Sequence, residues 1–125
     1  SRSDRRPGGI ALSPNSRSLY VGGADERVIR VYDLDRSGRA SNERVLVTGI
    51  DGVPRGIRVD DKGNLWVAAN RLLQYGADGT RLRSIAIPET PTGLALGAGD
   101  ASVIYVTTGS TVYRIRKDTQ GAVTP

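Results

Sequence analysis

The chain has 125 residues and a formal net charge of +5, with no Cys, His, Met or Phe, one Trp and five Tyr. Without thiol or imidazole it can build no Cys-His or Ser-His-Asp nucleophile, no disulfide and no zinc-thiolate centre. Any metal would need oxygen ligands. Arginine supplies 16 of the 18 basic residues, scattered among Asp and Glu rather than drawn into a stripe, so no nucleic acid partner is expected.

Residues 1–6 read as a polar tail holding Arg2, Arg5 and Arg6, with none of the apolar stretch a signal peptide needs. No run approaches the ~18 apolar residues of a spanning helix, so no membrane partner is expected, and the compartment stays open. A first residue Ser1 and the total lack of Met suggest a processed, excised or designed piece.

The first apolar element is Pro7-Gly8-Gly9-Ile10-Ala11-Leu12. A polar turn separates it from Leu19-Tyr20-Val21, a third element runs from Val28 to Leu34, and a fourth from Arg44 to Thr48. The order then begins again. Pro54-Arg55-Gly56-Ile57-Arg58-Val59 leads through Asp61-Lys62-Gly63-Asn64 to Leu65-Trp66-Val67, then to Leu72–Tyr75 and Leu82–Ile87. A third copy sets Pro91-Thr92-Gly93-Leu94-Ala95-Leu96 before Ile104-Tyr105-Val106 and Val112–Ile115.

These elements are short, rich in Val, Ile, Leu and Tyr, and bounded by Gly, Pro, Asn, Asp and Ser, as strands are. Asp61-Lys62-Gly63-Asn64, Asp78-Gly79 and Ser37-Gly38 supply the positive φ of tight hairpins. No segment keeps helical periodicity. A repeat of about 40–50 residues containing four strands is the size of one propeller blade. The predicted fold is all-β: a β-propeller segment of three four-stranded blades, 7–52, 53–89 and 90–125, the last lacking an outer strand of its own. Near-continuous apolar runs such as Leu65–Ala69 suit blades buried on both faces. Closed rings hold about four to eight blades, so three are too few.

At the same motifs the sequence resembles the senescence marker protein and gluconolactonase family of six-bladed, metal-dependent propellers. The resemblance rests on Pro7–Val21, Gly56–Ala69 with its Asp61-Lys62-Gly63-Asn64-Leu65-Trp66-Val67-Ala68 run, and Pro91–Tyr105 continuing through Val106-Thr107-Thr108. These stretches follow one another as in that family's last three blades, so the chain is expected to be half of a six-bladed ring. The resemblance implies lactone or ester hydrolysis at a calcium or other divalent-metal site held by a Glu near the N-terminus, an Asn and an Asp. The Asn and Asp positions are Gly8 and Arg55 here. Gly8 has no side-chain oxygen and Arg55 no acceptor, so this chain by itself is expected to bind no metal and to be inactive.

In a blade of alternating strands, the Pro-x-Gly start of the innermost strand shares a face with the loop between the second and third strands. That face gathers Gly8, Arg55 and Thr92 near the axis, surrounded by Asp25, Glu26, Arg27, Asn70, Arg71, Thr108 and Ser110. Arg55, Thr92, Asn70, Arg71 and Asp25 are the candidate ligand-binding residues, for a small anionic or sugar-like molecule. Arg55 can grip a carboxylate or phosphate in bidentate fashion or, more simply, bridge to an acid on a neighbouring blade. Asp25 and Glu26 can offer oxygens to a cation, although a solvated loop paired with Arg27 is the plainer reading. Asp51-Gly52 reads as a turn, and Asp60 and Asp61 as turn acids on the opposite face. Trp66, Tyr20 and Tyr105 are expected between blades. The expected partner is another half-propeller: an absent N-terminal segment, another chain, or a second copy forming a homodimer.

Overall fold

The computed structural model describes residues 7–97, 103–117 and 123–124. The polar tail expected at 1–6 lies outside them. The strands are β1 (Pro7–Leu12), β2 (Ser18–Gly23), β3 (Val28–Leu34), β4 (Ala40–Val47), β5 (Gly56–Val59), β6 (Leu65–Ala68), β7 (Leu72–Tyr75), β8 (Arg81–Ile85), β9 (Gly93–Leu96), β10 (Val103–Thr107), β11 (Val112–Arg116) and β12 (Val123–Thr124). They form three antiparallel meanders, β1-β2-β3-β4, β5-β6-β7-β8 and β9-β10-β11-β12, with every neighbour also a sequence neighbour.

The third blade differs from expectation. Its outer strand is β12, which pairs Val123 with Ile115 and Thr124 with Arg114. Two residues carry no period-2 pattern, so the sequence held no signal for them.

Period-2 geometry sends alternate side chains of a strand to opposite faces, and in β6 both faces are covered. Leu65 and Val67 pack towards the first blade with Tyr20, Ile29, Val31, Ile57, Leu73 and Tyr75. Trp66 and Ala68 pack towards the third with Leu94, Ile104, Val106, Tyr113 and Ile115. The core is therefore two inter-blade seams. Each fully buried Leu or Ile in them contributes about 1.5–3 kcal/mol.

Tyr20 and Trp66 take their expected seam positions. Tyr105, at the same repeat position, is 38% exposed, since no further blade packs on the third among the described residues.

The first seam is tightened by backbone contact. The ladder between β1 and β2 shifts register between Pro7 and Ile10, freeing the Gly9 N–H to donate to the Pro54 carbonyl at 2.9 Å. Only glycines allow this approach: a Cβ on Gly9 would stand 2.9 Å from Ile57 N, and one on Gly8 would collide with the Pro54 oxygen.

Gly52, in the loop joining the first two blades, has φ +107, and an added Cβ would lie 2.6 Å from the Asn70 nitrogen. Gly52→Ala is expected to cost about 1–3 kcal/mol, read as a lowered urea midpoint; an unchanged midpoint would mean that the loop re-forms elsewhere.

Candidate functional site

The face that carries the Pro-x-Gly starts, called here the channel face, is assembled by loops that cross between blades and are tied to the hairpin of the blade they meet. The 48–55 loop donates from Ile50 N to the Arg27 carbonyl of the β2–β3 turn at 3.1 Å. The same loop holds the β6–β7 turn twice: Asn70 N donates to Asp51 O at 2.9 Å, and Asn70 Nδ2 to Asp51 Oδ1 at 3.1 Å. The 86–92 loop repeats the device. Thr108 Oγ1 and Ser110 Oγ, on the β10–β11 turn, donate to the two Glu89 oxygens at 2.5 and 2.7 Å. These hydroxyls, Thr108 first and then Ser110, hold the Glu89 carboxyl below the ordinary carboxylate range, so it is an anion at neutral pH.

Around the axis, Gly56 comes within van der Waals reach of Gly93: a Cβ on Gly56 would lie 3.3 Å from the Gly93 Cα. The preceding residues, Arg55 and Thr92, therefore leave the sheet side by side. Arg55 is anchored by its backbone N–H, which donates to Ala68 O at 2.9 Å. Its side chain is exposed and has no hydrogen-bond or ion-pair partner among the described residues. The expected bridge to a neighbouring blade is not made: Glu26 is bound by Arg30, Asp51 by Asn70 and Glu89 by two hydroxyls, and Asp25 has an interaction of its own. Thr92 is fixed by N–H donation to Thr107 O at 2.8 Å and by its hydroxyl, 3.0 Å from that of Thr107.

The other candidates sit where the strand order placed them, with different partners. Arg71 is committed to blade 2, its Nε donating to Ser84 Oγ at 2.7 Å. Glu26 is bound bidentately by Arg30, at 2.7 and 3.0 Å, rather than by Arg27. Arg30 follows Glu26 by four residues, across the turn and on β3, and its Nε also meets Glu43 at 3.2 Å. Asp25 is exposed at the adjoining turn position.

A divalent cation fits these residues poorly. Position 8 has neither an oxygen nor room for a side chain, position 55 carries a cation, and both Glu26 oxygens are occupied. Among the described residues, no three acidic side chains converge on one point. Calcium takes about six to eight oxygen ligands.

Glu89 was missed by the sequence reading, and Asp51 was reduced to a turn. The signal for both was an acid two or three residues before the proline of the repeat, Asp51 before Pro54 and Glu89 before Pro91; Asp4 precedes Pro7 in the same way.

At the opposite end of the blades Asp60 is 2% exposed. Its Oδ1 accepts from the backbone N–H groups of Lys62 and Asn64, each at 3.0 Å. Its Oδ2 accepts from Trp66 Nε1 at 3.1 Å and meets Lys117 Nζ, from the third blade, at 3.3 Å. Burial raises the Asp60 carboxyl, but these donors outweigh it and leave the net value below the ordinary one. Arg83 and Lys117 lie over the Trp66 ring, 5.4 and 5.9 Å from its centre. This cluster latches blade 2 to blade 3.

Three four-stranded meanders packed face to face, with a loop-built face at one end, are successive blades of a β-propeller. Residues 5–110 match the SMP-30/Gluconolactonase/LRE-like region, and the chain belongs to that family. It is 30% identical to a gluconolactonase of Zymomonas mobilis over 128 residues, covering 93% of this chain and 36% of that protein. It is 29% identical to the pentonolactonase XacC of Haloferax volcanii over 82% of this chain and 38% of that protein. The regucalcin of Danio rerio is 30% identical over 79% of the chain and 36% of its own length. Among solved structures, a gluconolactonase of Xanthomonas campestris superposes with a TM-score of 0.81 at 26% identity, over 88% of this chain and 37% of its own. A calcium-binding regucalcin of Agrobacterium tumefaciens gives 0.74 at 26% identity, over 84% and 39%. The chain thus spans a little over a third of the length of these relatives.

Proposed function

We propose that this chain forms part of a lactonase-type channel face, and that its share of the face recognises an anionic, sugar-acid-like ligand through Arg55 instead of holding a divalent metal. The observation carrying this reading is the exposed Arg55 guanidinium, without a partner among the described residues, at the place where the family resemblance puts a metal-binding carboxylate. A guanidinium offers a planar fork to a carboxylate. Thr92 leaves the sheet next to Arg55 and Asn70 stands on the β6–β7 turn, both with groups able to bond sugar hydroxyls. Family membership and relatives called lactonases support a ring carboxylic ester, or the hydroxy acid it opens to, as the ligand class.

Titration calorimetry with D-gluconate and with calcium separates this reading from metal-dependent hydrolysis. Gluconate is expected to bind, and Arg55→Ala to weaken it about tenfold to a hundredfold, the worth of one charge-assisted hydrogen bond. Calcium is expected to give no saturable heat. Arg55→Asp is not expected to create a metal site, and adding Gly8→Asn is expected to destabilise the fold by driving a Cβ into the Pro54 carbonyl. Saturable calcium uptake together with opening of gluconolactone by the unmodified chain would overturn the reading in favour of hydrolysis.

A further inference from the structure

The first strands of the three blades, β1, β5 and β9, approach one another and line the channel, with β5 in the middle and a neighbour on either side. What β5 presents there is therefore set by contacts within the chain. The Asp60 N–H donates to the Asn64 carbonyl at 2.9 Å. Alternation along the ladder then makes Arg58 and Trp66 a hydrogen-bonded pair, and Ile57 and Val67 a non-bonded one. The Ile57 carbonyl thus points away from β6, into the channel. Arg58 Nη1 donates to it at 2.8 Å, which folds the guanidinium over the channel-side edge of the strand. Arg58 is exposed and has no acidic partner among the described residues. At the same repeat position the flanking blades carry Ala11 and Ala95, whose small side chains leave room around it.

A bulge brings Arg55 into phase with Arg58. The Arg55 N–H donates to the Ala68 carbonyl, yet Ala68 is the ladder partner of Gly56. Two residues therefore stand opposite one, and the period-2 alternation slips by a residue. Arg55, Gly56 and Arg58 then share a side of the strand, and Gly56 between them has no side chain. Three residues of strand rise set the two arginine Cα atoms no more than about 10 Å apart. We propose that Arg55 and Arg58 form a two-point clamp for a polyhydroxy acid bearing an anionic group at each end, a carboxylate at one and a phosphate or second carboxylate at the other. Two cations on one channel wall repel each other, and a doubly charged ligand relieves this while offering each guanidinium fork an oxyanion. The inference rests on the reading of Arg55 as an anion-binding residue and adds the second charge.

Titration calorimetry of the whole chain with D-gluconate, 6-phospho-D-gluconate and D-glucarate tests this, read as the ratio of dianion to gluconate affinity. At least one dianion is expected to bind about tenfold to a hundredfold more tightly than gluconate, the worth of one further charge-assisted contact. A lead for phosphogluconate would mark the second group as a phosphate, and a lead for glucarate would mark it as a carboxylate. In Arg58→Ala the ratio is expected to fall close to one, and in Arg58→Lys to recover in part, since the charge returns without the fork. Arg36→Ala, on the exposed β3–β4 turn at the other end of the first blade, is expected to keep the full ratio. Gluconate binding with no gain for either dianion would overturn the clamp and leave the Arg55 reading standing. A ratio that falls equally in Arg36→Ala would also overturn it, by reducing the preference to net charge. Binding of none of the three would overturn both readings.

Discussion

Asp60→Ala is expected to lower folding stability by about 3–5 kcal/mol, the cost of leaving a buried ion pair half made. Lys117, 17% exposed, would lose its carboxylate, and the Lys62, Asn64 and Trp66 N–H groups would lose their acceptor. Equilibrium urea unfolding followed by the single Trp would read the loss; a change below about 1 kcal/mol would mean that water replaces the carboxylate without penalty. The pH dependence has a definite sign. Because the folded Asp60 carboxyl lies below its ordinary value of 3.8, its contribution is complete above that value and is lost as pH falls through the lower folded value. The gap between wild type and variant is expected to be widest at neutral pH and to narrow below pH 3.8.

Trp66→Ala should be comparably damaging, at about 3–5 kcal/mol. The side chain is completely buried, fills the seam between the second and third blades, and donates to Asp60. Truncation leaves a cavity bounded by β-strands whose ladders resist collapse, and removes the ring under Arg83 and Lys117. Circular dichroism melts would show a fall in Tm of about 10 °C or more. Since Trp66 and Asp60 share a hydrogen bond, the double variant is expected to cost less than the two single effects added together. Strict additivity would show that the seam and the latch act independently.

Blade number, strand order and seam aromatics were legible because they repeat: three Pro-x-Gly starts and three apolar-aromatic-Val triplets mark the same strands each time. The unbroken apolar run Leu65-Trp66-Val67-Ala68 told that both faces of that strand are covered. The two-residue β12 was not legible, having too few residues to show a period. Pairing among charged side chains was also beyond reach. Glu26 turns to Arg30 rather than the adjacent Arg27 because the turn sets residues four apart beside each other, whereas Arg27 itself takes a left-handed φ of +54. That Arg55 makes no bridge to an acid was not legible either, since it depends on where Asp51 and Glu89 spend their oxygens, a matter of tertiary geometry.

The Asp60 latch and the channel face lie at opposite ends of the same blades, and this separation has an evolutionary side. The contacts that make Asp60 and Trp66 costly to alter lie at the latch end and in the seam, whereas Arg55, Thr92 and Asn70 are exposed at the other. Exposed positions are usually tolerant of exchange, within about 0.5 kcal/mol. A lineage built on this scaffold can therefore trade one recognition chemistry for another at its mouth while the framework that holds the blades together is inherited unchanged.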